Sequence, residues 1–365
     1  LYNIAAGGDA KPPADAPYAL TLRPESFYLR DHRFRGACVL PGAMSLELAR
    51  RAYAGDDTGR PVLLRQVVWQ QPVTVAAPLP VTVSLAQAES GESAFRLTSG
   101  PEETLHVRGM AGPLAESVTP VLDLPALRTR CPDELSPRWL YDSYAALGLD
   151  YGPSFQPVRE LRRGRSMGEA EALVHLVLLE SAQEPGEAFG LHPSLLDGAF
   201  QACIALAGGE GGEAKAALPF VLDRLELLRP LPDRAGDGIW AHLRLRPGTG
   251  GVLKFDIDLA DGEGRLHARL RGFTVRVAGR PIVEEDTPAA LPAASVPLRQ
   301  AAEKHLAGLL AREIGVDAAQ IEPEAAFEAY GIDSMLIVRL TDVLEADFGP
   351  LPKTLFFEHQ TLSAL

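Results

Sequence analysis

Cysteine is scarce, with Cys38, Cys131 and Cys203 the only three in 365 residues. Odd in number, widely separated and without metal-ligand spacing, they build neither a disulfide framework nor a zinc site. All three read as small core residues, and no metal is expected. Positive charge is also short, 35 Lys and Arg against 48 Asp and Glu for a net charge of −13. That argues against nucleic acid or an anionic membrane as partner, because both need a basic face. No apolar run is long enough to span a bilayer, and Leu1 to Asp15 look like a polar lead-in rather than a secretion signal. A cytoplasmic protein is expected. Hydrophobic side chains are plentiful at 46% of the chain, enough for well-filled cores in two or three domains.

One order of elements occurs twice. An apolar helix is expected from Pro41-Gly42 through Ala52, followed by β-rich runs at Val62 to Val75, Val81 to Gln87, Ala94 to Thr98 and Thr104 to Val107. An irregular stretch from Pro113 to Pro137 separates this from a helical run at Arg138 to Leu147. Strand-like residues then fill Gly168 to Leu179, and a second apolar helix runs from Pro193 to about Leu206. Three strands follow at Gly238 to Leu245, Val252 to Leu259 and Arg265 to Val277, divided by glycine turns. A sheet with one apolar face needs a cover, and one helix per sheet provides it. From Arg280 to Leu298 the chain is a Pro- and Ala-rich linker. Residues 299–365 hold 5 basic against 11 acidic side chains and two amphipathic patterns, the signature of a small acidic helical bundle.

Three clusters carry candidate chemistry. His32 lies ten residues before Pro41-Gly42, across a strand or loop, and an imidazole titrates where a general base must. The opening N–H groups of the helix after Pro41 have no partner within it, and Gly42 has no side chain to keep a ligand oxygen away. Taken alone, His32 is equally well read as a surface histidine before an ordinary helix. In the second helix Asp197 and Gln201 stand at i and i+4 on one face among apolar neighbours, where a carboxyl pKa rises toward general-acid use. The plainer reading is an Asp bonded to backbone near a helix start, with Gln201 exposed. Tyr151-Gly152-Pro153-Ser154-Phe155-Gln156 is a turn with a phenol at its head, more often structural than functional. In the tail, Ser334 of Gly331-Ile332-Asp333-Ser334 begins an amphipathic helix, either as its cap or as a hydroxyl held out for modification.

Taken together, His32…Gly36…Pro41-Gly42, Tyr151 to Gln156, His192-Pro193…Asp197…Gln201 and Leu218-Pro219-Phe220 follow the order and spacing of modular polyketide synthase dehydratase domains, and the chain resembles that family over roughly residues 16–280. The tail resembles an acyl carrier protein, with Gly331 to Ser334 matching the phosphopantetheine attachment motif. Its Leu351 to Glu358 run is similar to carriers of synthases with a trans-acting acyltransferase. The resemblance implies an α+β double hotdog, two antiparallel sheets each wrapping a long helix, the first at about 16–135 and the second at about 136–280. Behind it come the linker, 281–298, and a small all-α four-helix carrier bundle, 299–365, truncated at its C-terminus.

The implied reaction is dehydration of a carrier-bound β-hydroxyacyl thioester to the α,β-unsaturated thioester. His32 and Asp197 are its base and acid; Gly36, Pro41, Gly42, Tyr151 and Gln201 position the substrate or its oxyanion. 4′-Phosphopantetheine is expected on Ser334. Implied partners are the carrier-borne chain, ketosynthase and ketoreductase domains, a phosphopantetheinyl transferase and a second copy in a homodimer. Two other readings stand beside dehydration: an oxa-Michael cyclase (pyran synthase) or double-bond isomerase on the same His/Asp pair, and a catalytically silent dimerising scaffold. Ser45 departs from the family, standing where these dehydratases usually carry an aromatic.

Overall fold

The computed structural model describes residues 17–88, 91–115, 120–166, 168–184, 186–207, 216–246 and 252–278, and further on 306–311, 321–323, 340, 344 and 361–362. The chain divides into two compact units, Leu1–Arg280 and Pro281–Leu365.

The first unit opens with β1 (Tyr18–Leu22), a one-turn helix α1 (Phe27–Arg30) and the hairpin of β2 (His32–Phe34) and β3 (Ala37–Cys38). This hairpin turns on Arg35 and Gly36, both at positive φ (48° and 81°), the type I′ geometry whose twist suits two short antiparallel strands. Next come α2 (Gly42–Ala54), β4 (Val62–Trp69), β5 (Leu79–Gln87), β6 (Ser93–Ser99) and β7 (Thr104–Pro113). The second half begins α3 (Leu124–Arg130), β8 (Asp133–Leu135), α4 (Pro137–Ala146), β9 (Leu149–Tyr151), β10 (Val158–Ser166) and β11 (Glu169–Val177). It continues with α5 (Pro193–Gln201), α6 (Ile204–Ala207), β12 (Ala216–Leu227), β13 (Gly238–Arg246), β14 (Val252–Ala260) and β15 (Leu266–Ala278). The stretch from Pro113 to Pro137, expected to be irregular, thus holds a helix capped by the Asp123 side chain and a short strand.

Twelve strands form one antiparallel sheet in the order β1-β5-β6-β7-β4-β12-β15-β14-β13-β11-β10-β8. The two expected sheets are therefore continuous. They join where β4 pairs with β12, Val62 opposite Leu227 and Val68 opposite Val221. Residues Ala43 to Arg50 of α2 and all of α5 are buried, as in a helix enclosed on every side rather than lying on a surface. The two helices also touch, and one core runs from Leu46 and Leu48 of α2 to Leu195, Leu196 and Phe200 of α5. This is the double hotdog. Its second helix is shorter than the expected run to Leu206, because bonding tightens to i→i+3 at Cys203, Ala205 and Leu206 and splits off α6.

A small sheet, β3-β2-β9, crosses between the halves and sets His32 directly opposite Tyr151. In the second unit residues 306–311 are helical, and Leu309, Leu310, Leu340, Leu344 and Leu362 are buried. Ser334, the linker 281–298 and the lead-in 1–15 lie outside the described residues. Among the described residues no helix is long and apolar enough to cross a membrane.

Candidate active site

His32 opens β2 and is 8% exposed. Its Nδ1 lies 2.8 Å from the Val39 carbonyl, and the Val39 N–H returns a bond to the His32 carbonyl at 3.2 Å. A carbonyl only accepts, so Nδ1 must carry the hydrogen, and the neutral ring then presents a bare Nε2, the form a general base needs. Tyr151 and Phe155 hold the ring edge-on, with centroids 5.5 and 5.4 Å away. His32 is therefore a buried and oriented histidine, and the surface reading does not stand.

Asp197 lies in the second turn of α5, 4% exposed. Gln201, one turn on and also buried, donates through Nε2 to Asp197 Oδ2 at 2.9 Å and to the Phe155 carbonyl at 3.0 Å. The Tyr144 hydroxyl fixes the Gln201 backbone carbonyl at 2.9 Å. Burial drives the Asp197 carboxyl above the usual carboxylate range, against the opposing pull of the nearby His32 and of the Gln201 amide. The phenols of Tyr144 and Tyr151 are likewise pushed up, above all by burial, and stay protonated. The site thus joins an imidazole whose Nδ1 is committed to a carbonyl with a carboxyl that burial biases toward its protonated form.

Gly42 is the first residue of α2, and Pro41 is its N-cap at φ −59° and ψ 142°, one position earlier than the first-turn place expected for it. The Pro41 carbonyl takes the Ser45 N–H at 3.2 Å. A methyl on Gly42 would come within 3.1 Å of Pro219 Cγ and 3.4 Å of Trp69 Nε1. Two motifs meet here, since Pro219 belongs to Leu218-Pro219-Phe220. Ser45 donates to the Gly42 carbonyl at 2.6 Å and accepts the Trp69 indole N–H at 2.8 Å. An aromatic ring is thus present beside Ser45, supplied by Trp69 of β4, which the sequence pattern had not singled out.

Gly36 is exposed, with open space where a side chain would be, and its positive φ serves the hairpin turn. His192 is the N-cap of α5, stacked on Phe27 with centroids 6.0 Å apart; burial pushes its pKa down to about 3, so it stays neutral. Among the described residues no cluster of His, Cys, Asp and Glu is arranged to hold a metal ion.

The polyketide synthase dehydratase domain model matches residues 11–100, the model described as the polyketide synthase dehydratase N-terminal domain matches 119–285, and the phosphopantetheine attachment site model matches 304–365. Polyketide synthase ThaG of Burkholderia thailandensis is 34% identical across 94% of this chain, and PksN of Bacillus subtilis 32% identical across 73%. The chain spans 7% and 5% of the lengths of those two relatives. A trans-AT polyketide synthase dehydratase domain from Brevibacillus brevis superposes with a TM-score of 0.64 at 34% identity, over 73% of this chain and 95% of that one.

Proposed function

This chain belongs to the polyketide synthase dehydratase family and carries a phosphopantetheine attachment domain behind the dehydratase, and from that premise we propose that it removes water from a β-hydroxyacyl thioester during polyketide chain elongation. One observation carries the reading: His32, with Nδ1 committed to the Val39 carbonyl, shares a buried site with an Asp197 carboxyl that burial drives above the usual carboxylate range.

His32 Nε2 takes the proton from the carbon next to the thioester carbonyl. Negative charge moves onto the carbonyl oxygen, where the opening N–H groups of α2 at Gly42 are placed to stabilise it. The carbon–oxygen bond at the β position breaks, Asp197 gives its proton to the departing hydroxyl, and water leaves an α,β-unsaturated thioester. Return of the proton from His32 to Asp197 restores the starting state. Gln201 keeps the Asp197 carboxyl turned into the site, and the protonated Tyr151 phenol lies beside His32 to orient the substrate hydroxyl.

In this reading the double hotdog spans 16–280, the linker 281–298 and the carrier 299–365. 4′-Phosphopantetheine presents the acyl chain as a thioester, and the Ser334 hydroxyl has the chemistry its phosphodiester requires. A phosphopantetheinyl transferase attaches it. Ketosynthase and ketoreductase domains supply and consume the chain, and the dehydratase works as a homodimer in the cytoplasm.

The test is a β-hydroxyacyl-pantetheine thioester series followed by mass. Loss of one water with wild type and not with His32→Ala is expected. Equal traces for the two across several chain lengths would leave a silent scaffold; an isomer or cyclic ether without net loss of water would point to the other chemistries.

A further inference from the structure

Base and acid come from different halves of the fold, His32 from the hairpin after α1 and Asp197 from α5, so something must set the distance between them. We propose that Asp31 is a positioning residue, which with Ser154 and Ser194 gauges the separation of His32 and Asp197; this rests on the dehydratase reading above.

Asp31 is bonded through the chain to His32 and is 6% exposed. Its Oδ2 accepts the Ser154 N–H at 3.1 Å and has the Ser154 hydroxyl at 2.5 Å, while its carbonyl takes the Gly152 N–H at 2.8 Å. Arg30 grips the carboxylate with two bonds of 3.0 Å. Burial alone would raise the Asp31 pKa, but the bonds from Arg30 and Ser154 outweigh it and hold the carboxyl below its usual range, so the group is charged at neutral pH. The single hydroxyl proton of Ser154 has a second acceptor, the Ser181 carbonyl at 2.5 Å, and the ionised carboxylate is the stronger of the two.

From this turn the chain of bonds continues into α5. The Ser194 hydroxyl, in the first turn of that helix, donates to the Ser154 carbonyl at 2.6 Å, and Asp197 is three residues further on. Ser154 and Ser194 are fully buried. There is no slack at the joint, since a methyl on Gly152 would sit 2.6 Å from the Asp31 carboxylate. The links run from His32 through Asp31 and Ser154 to Ser194 and Asp197, and none of the three intermediates needs to touch substrate. A misplacement of about 1 Å between reacting groups can cost on the order of 100-fold in rate, which is the scale on which such a gauge acts.

The experiment uses the full chain with Asp31→Ala, Asp31→Asn, Ser194→Ala and the Asp31→Ala/Ser194→Ala pair. The readouts are kcat and KM on the pantetheine thioester and nitrogen NMR of the imidazole rings, the His32 signals being assigned by their loss in His32→Ala. Asp31→Ala is expected to lower kcat by about 100-fold with KM little changed. Asp31→Asn, whose amide oxygen still accepts the Ser154 N–H, should fall between it and wild type. Ser194→Ala should lower kcat without contacting His32 and still shift the His32 ring signals, and the pair should lose little more than the larger single change, because both cut one chain. Full additivity, or His32 signals unmoved by Ser194→Ala, overturns the proposal, as does a loss of melting temperature with kcat intact. If wild type dehydrates nothing, the dehydratase reading fails, while the ring signals still decide whether Asp31 and Ser194 act on His32.

Discussion

A carboxyl enclosed as Asp197 is, with the Gln201 amide on one oxygen, holds its proton to higher pH folded than unfolded. Between those two pKa values the unfolded chain binds fewer protons than the folded one, so the contribution of Asp197 to stability is intact at low pH and is lost as pH rises through that window. Activity follows the same group, because the ionised form has no proton to give, and the alkaline limb of kcat belongs to Asp197. Asp197→Asn should therefore lower kcat by about 10²- to 10⁴-fold and remove that limb. The same variant should melt on the order of a few degrees higher than wild type in alkaline buffer, and match it in acid, below the ordinary carboxylate range. Paired melting curves at the two pH values check this, and a variant less stable than wild type at both would contradict it. Much of this site is legible in the sequence, since the i, i+4 spacing brings Gln201 to Asp197 and burial follows from the apolar neighbours. Asp31, Ser154 and Ser194 are not legible, because their meaning lies in bonds to residues 123 and 40 positions away. Gly36 owes its place in the motif at least to backbone geometry, since its positive φ is one that glycine adopts without strain.

Among elements, α2 and the segment leading into α5 are joined by a buried ion pair. Glu47 and Arg50 have fully buried side chains, linked at 2.8 and 3.0 Å, and Glu47 also takes the N–H groups of Leu191 at 2.8 Å and Gly190 at 3.3 Å. Arg51 adds a bond at 3.0 Å from the rim. Glu47→Gln leaves the Arg50 charge buried without its partner, a loss of about 3–5 kcal/mol, and a Glu47→Gln/Arg50→Met pair should recover part of it. The urea midpoints of the three proteins test this, and an unchanged midpoint for Glu47→Gln would mean that the pair carries no stability. The sequence shows both central helices, because apolar residues at helical spacing after a Pro mark a helix start. It hides β12 and β10 for separate reasons. Pro219 within β12 argues against a strand, and the structure absorbs it at a register shift between Pro219 and Val221. β10 carries Arg159, Arg162, Arg163 and Arg165, and only Val158 and Leu161 are buried, so its alternation is drowned in charge.

At the scale of the whole molecule, the proposed reading puts catalysis and tethering in separate units, His32 and Asp197 in the first and Ser334 in the second. The doubled helix-and-strand order in the sequence foreshadows both hotdogs, but nothing local announces that β4 and β12 fuse their sheets into one, because a strand edge looks the same whatever pairs with it. Separate units predict a double dissociation that intact-mass measurement can read. A phosphopantetheinyl transferase with a β-hydroxyacyl-coenzyme A should load wild type and His32→Ala alike, and only wild type should then lose one water from the loaded chain. Ser334→Ala should refuse the load yet dehydrate a free β-hydroxyacyl-pantetheine thioester at the wild-type kcat. Presented as a free molecule, the thioester must be supplied at a concentration matching what a tether provides, of the order of millimolar for a short flexible link, so comparison at lower concentration would understate the variant. A Ser334→Ala protein inactive at saturating free substrate would mean that the serine serves the dehydration site itself, and loading that persists in Ser334→Ala would move the attachment to another hydroxyl.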